Sequence, residues 1–231
     1  MTQQNEPVIW RTVVQMVIVV VIAPFLPLII SNQWDWWQAW AYAVASILAF
    51  VFSRLVVARK HPDLIKERAR FMQAKDTKSW DKILAPLLGL GSILILVAAG
   101  LDKLDMSPAS NLTLNWVALI GIILGYGFSS WALIENRFFS GTVRIQTERG
   151  HHVISTGPYS IVRHPGYAGG LLGYFCIPLL LDSVWAWIPT ILLAVVMVIR
   201  TALEDKTLQA ELPGYKKYTQ KTRYRLLPGI W

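Results

Sequence analysis

The chain has 231 residues, of which 54% are hydrophobic and 16% are charged, and its mean hydropathy is +0.43. Soluble domains carry about 25% charged residues, so the composition argues against an ordinary soluble domain and predicts an all-α, polytopic membrane protein. The single cysteine, Cys176, excludes disulfides within the chain. The net charge of +8 is assigned to membrane orientation rather than to nucleic-acid binding.

Four apolar stretches are long enough to cross a membrane, at residues 12–30, 37–58, 83–101 and 116–134. The first is predicted to be a retained span rather than a cleaved signal peptide. Pro24 and Pro27 lie inside it and should kink or locally unwind its helix. Tryptophans crowd the turn that follows, as is typical of a membrane–water boundary. The charged segment 59–82 is predicted to form, for much of its length, an interfacial helix.

Two further apolar stretches, 166–181 and 184–199, are separated only by Asp182 and Ser183. At 1.5 Å per residue each would be about 24 Å long, which is short of the roughly 30 Å hydrocarbon core. We therefore predict a tight helical hairpin that need not reach the far surface. The fold class is four long spans plus this short hairpin.

The distribution of basic residues predicts the orientation. With the N-terminus in the cytoplasm, the inner segments 1–11, 54–82, 137–165 and 200–231 contain 21 of the 22 Lys and Arg residues. The outer turns hold only Lys103. The positive-inside rule therefore favours a cytoplasmic N-terminus and a cytoplasmic functional face, in the inner membrane of a bacterium.

The segment 149–170 holds three of the four histidines and leads into the hairpin. Pro165 suits the first position of a helix, because its missing N–H would be unpaired there anyway. A helix that starts at His164 and Pro165 would direct its free N–H groups and positive dipole end at the cytoplasm, where they could hold an anion. Four small residues on this helix favour close helix packing or, alternatively, close approach of a flat ligand: Gly166, Gly169, Gly170 and Gly173.

A second cluster lies where the last hairpin helix leaves the membrane. Arg200 and Glu204 are four residues apart and share one helix face. They could form a simple surface ion pair, with Arg200 reaching for the interface. Alternatively they could form the wall opposite His164, since both ends of the hairpin open on the same side. A zinc site of His151, His152 and His164 is disfavoured because adjacent histidines tend to point apart and no carboxylate has ligand spacing; no metal is predicted.

The two clusters together resemble the isoprenylcysteine carboxyl methyltransferase family, which is related to the phospholipid N-methyltransferases. The resemblance lies in residues 151–159, in residues 163–169 and in a second block that contains Glu204-Asp205, Glu211-Leu212, Gly214-Tyr215 and Arg223-Tyr224-Arg225-Leu226. It implies that residues 137–231 form a methyltransferase core, behind N-terminal transmembrane helices in residues 1–136 with a cytoplasmic loop at 59–82.

The resemblance also implies a cofactor, S-adenosylmethionine, and the residues that bind it. These are His151, His152, Val153, Ile154, Tyr159, His164, Pro165, Gly166, Tyr167 and Glu204. The helix start would receive the carboxylate of the cofactor and Glu204 its ammonium. Tyr159 and Tyr167 could stack on adenine or lie near the sulfonium. Arg200, Glu204 and His164 are the predicted catalytic residues, with Arg200 facing the acceptor.

The acceptor is predicted to be lipophilic, a prenylated or lipid molecule that enters from the bilayer. A carboxylate acceptor needs no general base, and Arg200 could clamp it. An amine acceptor must lose a proton, for which Glu204 or His164 would be the base. The open alternatives are therefore a phospholipid N-methyltransferase or a non-enzymatic membrane assembly protein. A carrier is disfavoured, because the span interiors are nearly free of charge.

Overall fold

The computed structural model describes residues 18–69, 76–105 and 110–231. All regular elements in these ranges are helical, as predicted. The α-helices are α1 (Leu26–Ser31), α2 (Trp37–Lys60), α3 (Pro62–Ala69), α4 (Asp81–Asp105), α5 (Leu112–Glu135), α6 (Pro165–Leu180), α7 (Trp187–Glu211) and α8 (Tyr215–Lys221). Four of them, α2, α4, α5 and α7, are long and apolar enough to span a membrane, so the chain is an integral multi-pass membrane protein.

The first predicted span is broken at its prolines. Its residues 12–17 lie outside the described part of the chain. The described part is a π-helical turn (Ile18–Ile22), a 3-10 turn (Ala23–Phe25) and then α1. Pro24 and Pro27 each lie in the first turn of the new element, where a missing N–H costs no hydrogen bond. The predicted local unwinding is confirmed.

The charged segment 59–82 is not one interfacial helix. His61 ends α2, and its N–H donates to Val57 O at 2.7 Å. Pro62 starts α3, which ends at Ala69, and Asp81 already begins α4. Within the segment, Pro62–Ala69 is helical and residues 76–80 form turns; residues 70–75 lie outside the described ranges, so the full extent of the interfacial helix stays a prediction.

The hairpin prediction is confirmed for its first helix but not for its second. Helix α6 is short, but α7 has 25 residues and continues beyond the apolar stretch to Glu211. The two arms also pack mainly against other helices, α6 against α5 and α7 against α4. Between them the chain reverses at Asp182, whose φ is 50°. Asp102 of α4 holds the turn, because its Oδ2 accepts from the Ser183 hydroxyl and the Val184 N–H at 2.7 Å each.

The α5–α6 contact depends on glycine. A Cβ atom added to Gly125 of α5 would lie 2.5 Å from Gly169 O and 2.8 Å from Gly173 N. The Ser129 hydroxyl donates to Gly166 O at 2.9 Å, which ties α5 to the first turn of α6. Small residues let two membrane helices approach this closely. The predicted role in helix packing is therefore confirmed for Gly169 and Gly173.

We expect Gly169→Val to destabilise the fold by about 1–3 kcal/mol, because overpacking a filled contact forces backbone shifts. Gly127→Val is the matched control on α5, since nothing lies within 4 Å of a Cβ atom there. Thermal unfolding of both variants in detergent measures the difference. Equal melting temperatures would show that the α5–α6 contact does not limit stability.

Polar contacts gather the helix ends into two groups. At one end, Asp182 accepts from Gln38 Nε2 at 3.1 Å and from Asn115 Nδ2 at 2.8 Å, which joins α2, α5 and the α6–α7 turn. At the opposite end lie the end of α2, the start of α4, the start of α6 and the charged half of α7. The clusters predicted to carry function meet at this second end.

Candidate active site

A cavity of about 200 Å³ lies between the loop 136–164, the start of α6 and the polar half of α7. Its wall contains nine of the ten residues predicted to bind a cofactor: His151, His152, Val153, Ile154, Tyr159, His164, Gly166, Tyr167 and Glu204. Arg200 lines it as well, whereas Pro165 does not. Residues that are more than 50 positions apart in the chain therefore share one cavity.

The centre of the cavity is a line of three polar groups. Tyr167 donates its hydroxyl to Glu204 Oε2 at 2.6 Å and accepts from Arg200 Nη1 at 2.6 Å. The His164 ring stacks on Tyr167 with 5.8 Å between centroids and 6° between planes. Arg200 is only 6% exposed. Arg200 and Glu204 are therefore connected through a tyrosine inside the protein rather than by a surface ion pair.

Arg200 is held by a carboxylate that sequence analysis did not single out. Its Nε donates to Asp81 Oδ1 at 2.6 Å and its Nη2 to Asp81 Oδ2 at 3.0 Å. Asp81 is fully buried and also accepts from the Val143 N–H at 2.6 Å. This bidentate pair fixes the guanidinium plane and links α4, the loop and α7. The sequence holds only a weak signal for this pairing, because Asp81 is a single aspartate at the border of an apolar span, 119 positions from Arg200.

Asp205, next to Glu204, has a different role. It is fully buried and accepts from Arg163 at 2.8 and 3.0 Å and from Arg225 Nε at 2.9 Å. Its Oδ1 also lies 3.3 Å from His164 Nε2. Since neighbouring residues of a helix point in different directions, Glu204 faces the cavity while Asp205 binds the C-terminal segment to the start of α6. Sequence analysis noted Asp205 only as part of the family pattern.

The rings of His151 and His152 both contact the ring of Phe138. Their centroids are 4.6 Å and 4.9 Å from that of Phe138. His151 Nδ1 accepts from the Gln146 N–H at 3.3 Å. Burial lowers the pKa of His151 to about 4, with smaller contributions from His152 and Arg149, so its imidazole is neutral near pH 7. In the described part of the chain no three His, Cys, Asp or Glu side chains are placed to hold a metal ion.

The remaining wall is apolar and aromatic. Tyr159 packs with Leu212, Tyr215 and Tyr218, and Val153 and Ile154 lie against this cluster. The Tyr159 hydroxyl donates to Ala132 O at 3.3 Å, and burial raises the pKa of this phenol. Tyr159 therefore stays protonated and its hydroxyl is already bound, so its ring is the part that a ligand would contact.

Among the described residues, Glu204 has no cationic partner in this cavity. It accepts a hydrogen bond from the neutral Tyr167 hydroxyl. Within the described ranges, no Lys or Arg nitrogen comes within the 4.0 Å ion-pair distance of its carboxylate. A half-buried carboxylate of this kind is suited to a cationic ligand.

Comparison with known proteins covers this same region. Residues 114–212 match a family model described as phospholipid methyltransferase. Two rice proteins, from the indica and japonica subspecies of Oryza sativa, are named probable protein-S-isoprenylcysteine O-methyltransferase. Each is 36% identical over 59 residues, which is 25% of this chain and 31% of the relative. The alignment thus spans less than a third of the length of these relatives. Residues 114–212, which include most of α5 and all of α6 and α7, are therefore similar to the phospholipid methyltransferase family.

Proposed function

We propose that this protein transfers a methyl group from S-adenosylmethionine to a lipophilic acceptor. The observation that carries the proposal is the Arg200–Tyr167–Glu204 line inside a cavity walled by the family-matched segment. It places an acidic group and a basic group side by side, with aromatic rings around them. A cationic methyl donor and an anionic acceptor could then bind next to each other.

The charges and the aromatic lining of the cavity support the proposed cofactor. Glu204, which has no cationic partner among the described residues, would bind the ammonium, and the start of α6 would receive the carboxylate. The rings of Tyr159 and Tyr167 offer faces for adenine or for the sulfonium. When bound, S-adenosylmethionine supplies an electrophilic methyl group. The remaining predicted contacts are from His151, His152, Val153, Ile154, His164, Pro165 and Gly166.

We propose a carboxylate as the acceptor group, as in isoprenylcysteine-type methylation. Among the described groups, Arg200 donates to Asp81, Gly141 O and Tyr167 through four of its five N–H groups. One N–H of Nη1 is left to orient an acceptor oxygen. That oxygen forms its bond to the methyl carbon as the carbon–sulfur bond breaks, and the bonding pair returns to sulfur. No proton is released, so no base is required.

A second candidate acceptor is the amine of a phospholipid headgroup, which the description of the matching family favours. Proton removal would then fall to Glu204 or His164. His164 Nε2 already lies 3.3 Å from Asp205, whereas Glu204 accepts from Tyr167 through Oε2, so Glu204 Oε1 could take the proton and keep that contact. The third candidate is an assembly protein that transfers no methyl group.

We also propose that the cavity faces the cytoplasm. The cavity end of the helices carries the described arginines and lysines of segments 54–69, 76–82, 137–165 and 200–231. Basic residues next to membrane spans favour the cytoplasmic side. S-adenosylmethionine would then reach the site from the cytosol and the acceptor from the bilayer.

A labelling experiment separates the three candidates. Protein purified in uncharged detergent is incubated with methyl-labelled S-adenosylmethionine and either an S-prenylcysteine or phosphatidylethanolamine. We expect label in a base-labile methyl ester of the prenylcysteine. Label on the amine would move the assignment to N-methylation. If the folded protein does not bind S-adenosylmethionine in calorimetry, the methyltransferase assignment fails and the assembly role is favoured.

A further inference from the structure

A second, larger cavity lies beside the first, among the membrane helices. Its volume is about 370 Å³, and its walls come from α2, α4, α5 and the start of the described chain. Apolar and aromatic side chains dominate the wall: Val20, Pro24, Phe50, Ile93, Leu96 and Tyr126. Four of its five serine hydroxyls donate to backbone carbonyls, for example Ser92 to Gly89 O at 2.8 Å. Such a wall suits a hydrocarbon chain.

The two cavities share part of their walls. Arg68 of α3 and Phe139 of the loop line both of them. Arg68 donates from Nη1 to Phe139 O at 3.1 Å and its guanidinium lies 5.5 Å from the Phe139 ring centroid. An anion bound to Arg68 would therefore lie where the polar and the apolar cavity meet.

Two arginines on the larger cavity have no acidic partner in the part of the chain that the structure describes. Arg54 of α2 lies 4.5 Å from the Phe50 ring centroid and makes a long contact of 3.5 Å with the Ser53 hydroxyl. In the described ranges, no carboxylate is within 4.0 Å of Arg54 or Arg68. Burial, with smaller contributions from the charges of Arg54 and Arg200, lowers the pKa of Arg68 to about 9. Partly buried cations without a counter-ion are unfavourable, so this pair is suited to an anionic ligand.

We infer that Arg54 and Arg68 supply the positive charge that binds the carboxylate of the acceptor, a long-chain acid, while Arg200 orients one of its oxygens and the hydrocarbon tail occupies the larger cavity. The inference rests on the proposed methyl transfer and adds residues that determine the acceptor's charge. Both arginines precede residue 114 and lie outside the family-matched segment. Arg200 is already paired with Asp81, whereas Arg54 and Arg68 keep their charge for a ligand. Specificity for an acid thus comes from α2 and α3.

The same chemistry could come from a resident phospholipid, whose phosphate is also an anion on an apolar chain. The position of Arg68 favours the acceptor, because its head would then lie beside the polar cavity. A phospholipid held only at the membrane surface would not need a guanidinium on the wall of both cavities. The experiment below therefore measures acceptor-like binding with palmitate and resident lipid as co-purified phospholipid.

The test measures binding of radiolabelled palmitate, with palmitamide as the uncharged analogue, to protein in maltoside detergent. Arg68→Gln and Arg54→Gln remove the charges singly, and Arg59→Gln is the matched control, an exposed arginine on the same helix as Arg54. We expect Arg68→Gln to raise the Kd for palmitate about tenfold, the loss of one charged hydrogen bond. Arg54→Gln should also raise the Kd for palmitate. Arg59→Gln should leave the Kd for palmitate unchanged, and none of the substitutions should change the Kd for palmitamide.

Co-purified phospholipid is measured in each sample by mass spectrometry, and S-adenosylmethionine binding by calorimetry. Unchanged palmitate binding in both variants, or equal loss in Arg59→Gln, overturns the inference. Loss of co-purified phospholipid with unchanged palmitate binding assigns the cavity to a lipid and also overturns it. If palmitate binding depends on the arginines but the wild type binds no S-adenosylmethionine, the anion site stands and the proposed methyl transfer fails.

Discussion

Asp205→Asn is expected to destabilise the protein by about 3–5 kcal/mol, the usual cost of removing one partner from a buried ion pair. The amide keeps the shape of the side chain but not its charge. Arg163, whose side chain is 6% exposed, would then lack its bidentate anion, and Arg225 would lose its contact as well. Because these arginines hold the C-terminal segment against the start of α6, the segment should detach before the membrane helices separate.

The measurement is thermal unfolding in detergent together with hydrogen exchange of residues 215–231. Glu211→Gln on the same helix is the control, since it breaks a more exposed ion pair, in which Glu211 lies 2.6 Å from Lys78. Exposed pairs contribute about 0–1 kcal/mol, so Glu211→Gln should leave stability nearly unchanged. Equal melting temperatures for the two variants would contradict a structural role for Asp205.

Glu204→Gln is expected to weaken S-adenosylmethionine binding by roughly a hundredfold, because a hydrogen bond to a charged group contributes up to about 3 kcal/mol. The amide can still accept from the Tyr167 hydroxyl, so the fold should be retained. What changes is the negative charge that would bind the ammonium. Isothermal calorimetry on the purified variant gives the Kd directly.

Glu135→Gln is the matched control for Glu204. It makes the same change in a carboxylate that lies outside the cavity wall and is paired with Lys60 at 3.6 Å. Its Kd for S-adenosylmethionine should equal that of the wild type. Tyr167→Phe adds a second measurement, because it removes the hydroxyl between Arg200 and Glu204 while it keeps the ring. If Glu204→Gln binds as tightly as wild type, the proposed ammonium site is wrong.

Periodicity and composition were sufficient for most of the fold. The spans predicted at 37–58, 83–101 and 116–134 each lie within an observed helix, because a run of apolar residues long enough to cross a bilayer leaves the chain few other structures. The second hairpin arm was predicted too short. An apolar run marks where a helix is in the membrane, whereas α7 continues beyond that run to Glu211, with its polar half packed against protein.

For the candidate site, the motif residues near Tyr159 and His164 and the pair Arg200 and Glu204 could be predicted because each cluster is local in sequence. Their partners could not. Asp81 lies 119 positions from Arg200, and no local pattern distinguishes it from a helix-capping aspartate. The different roles of Glu204 and Asp205 were equally hidden, since both are acids and only the packing around α7 decides which one faces the cavity.

The sequence by itself determined that this is a helical membrane protein with a methyltransferase-like polar region, because hydropathy, basic-residue bias and a short motif are properties of neighbouring residues. Only the tertiary structure decided which charges are neutralised. Asp81 pairs with Arg200 and Asp205 with Arg163, while Glu204 has no ion-pair partner among the described residues. The physical reason is that the energy of a charge depends on burial and on partners brought together by helix packing, which a linear pattern does not contain.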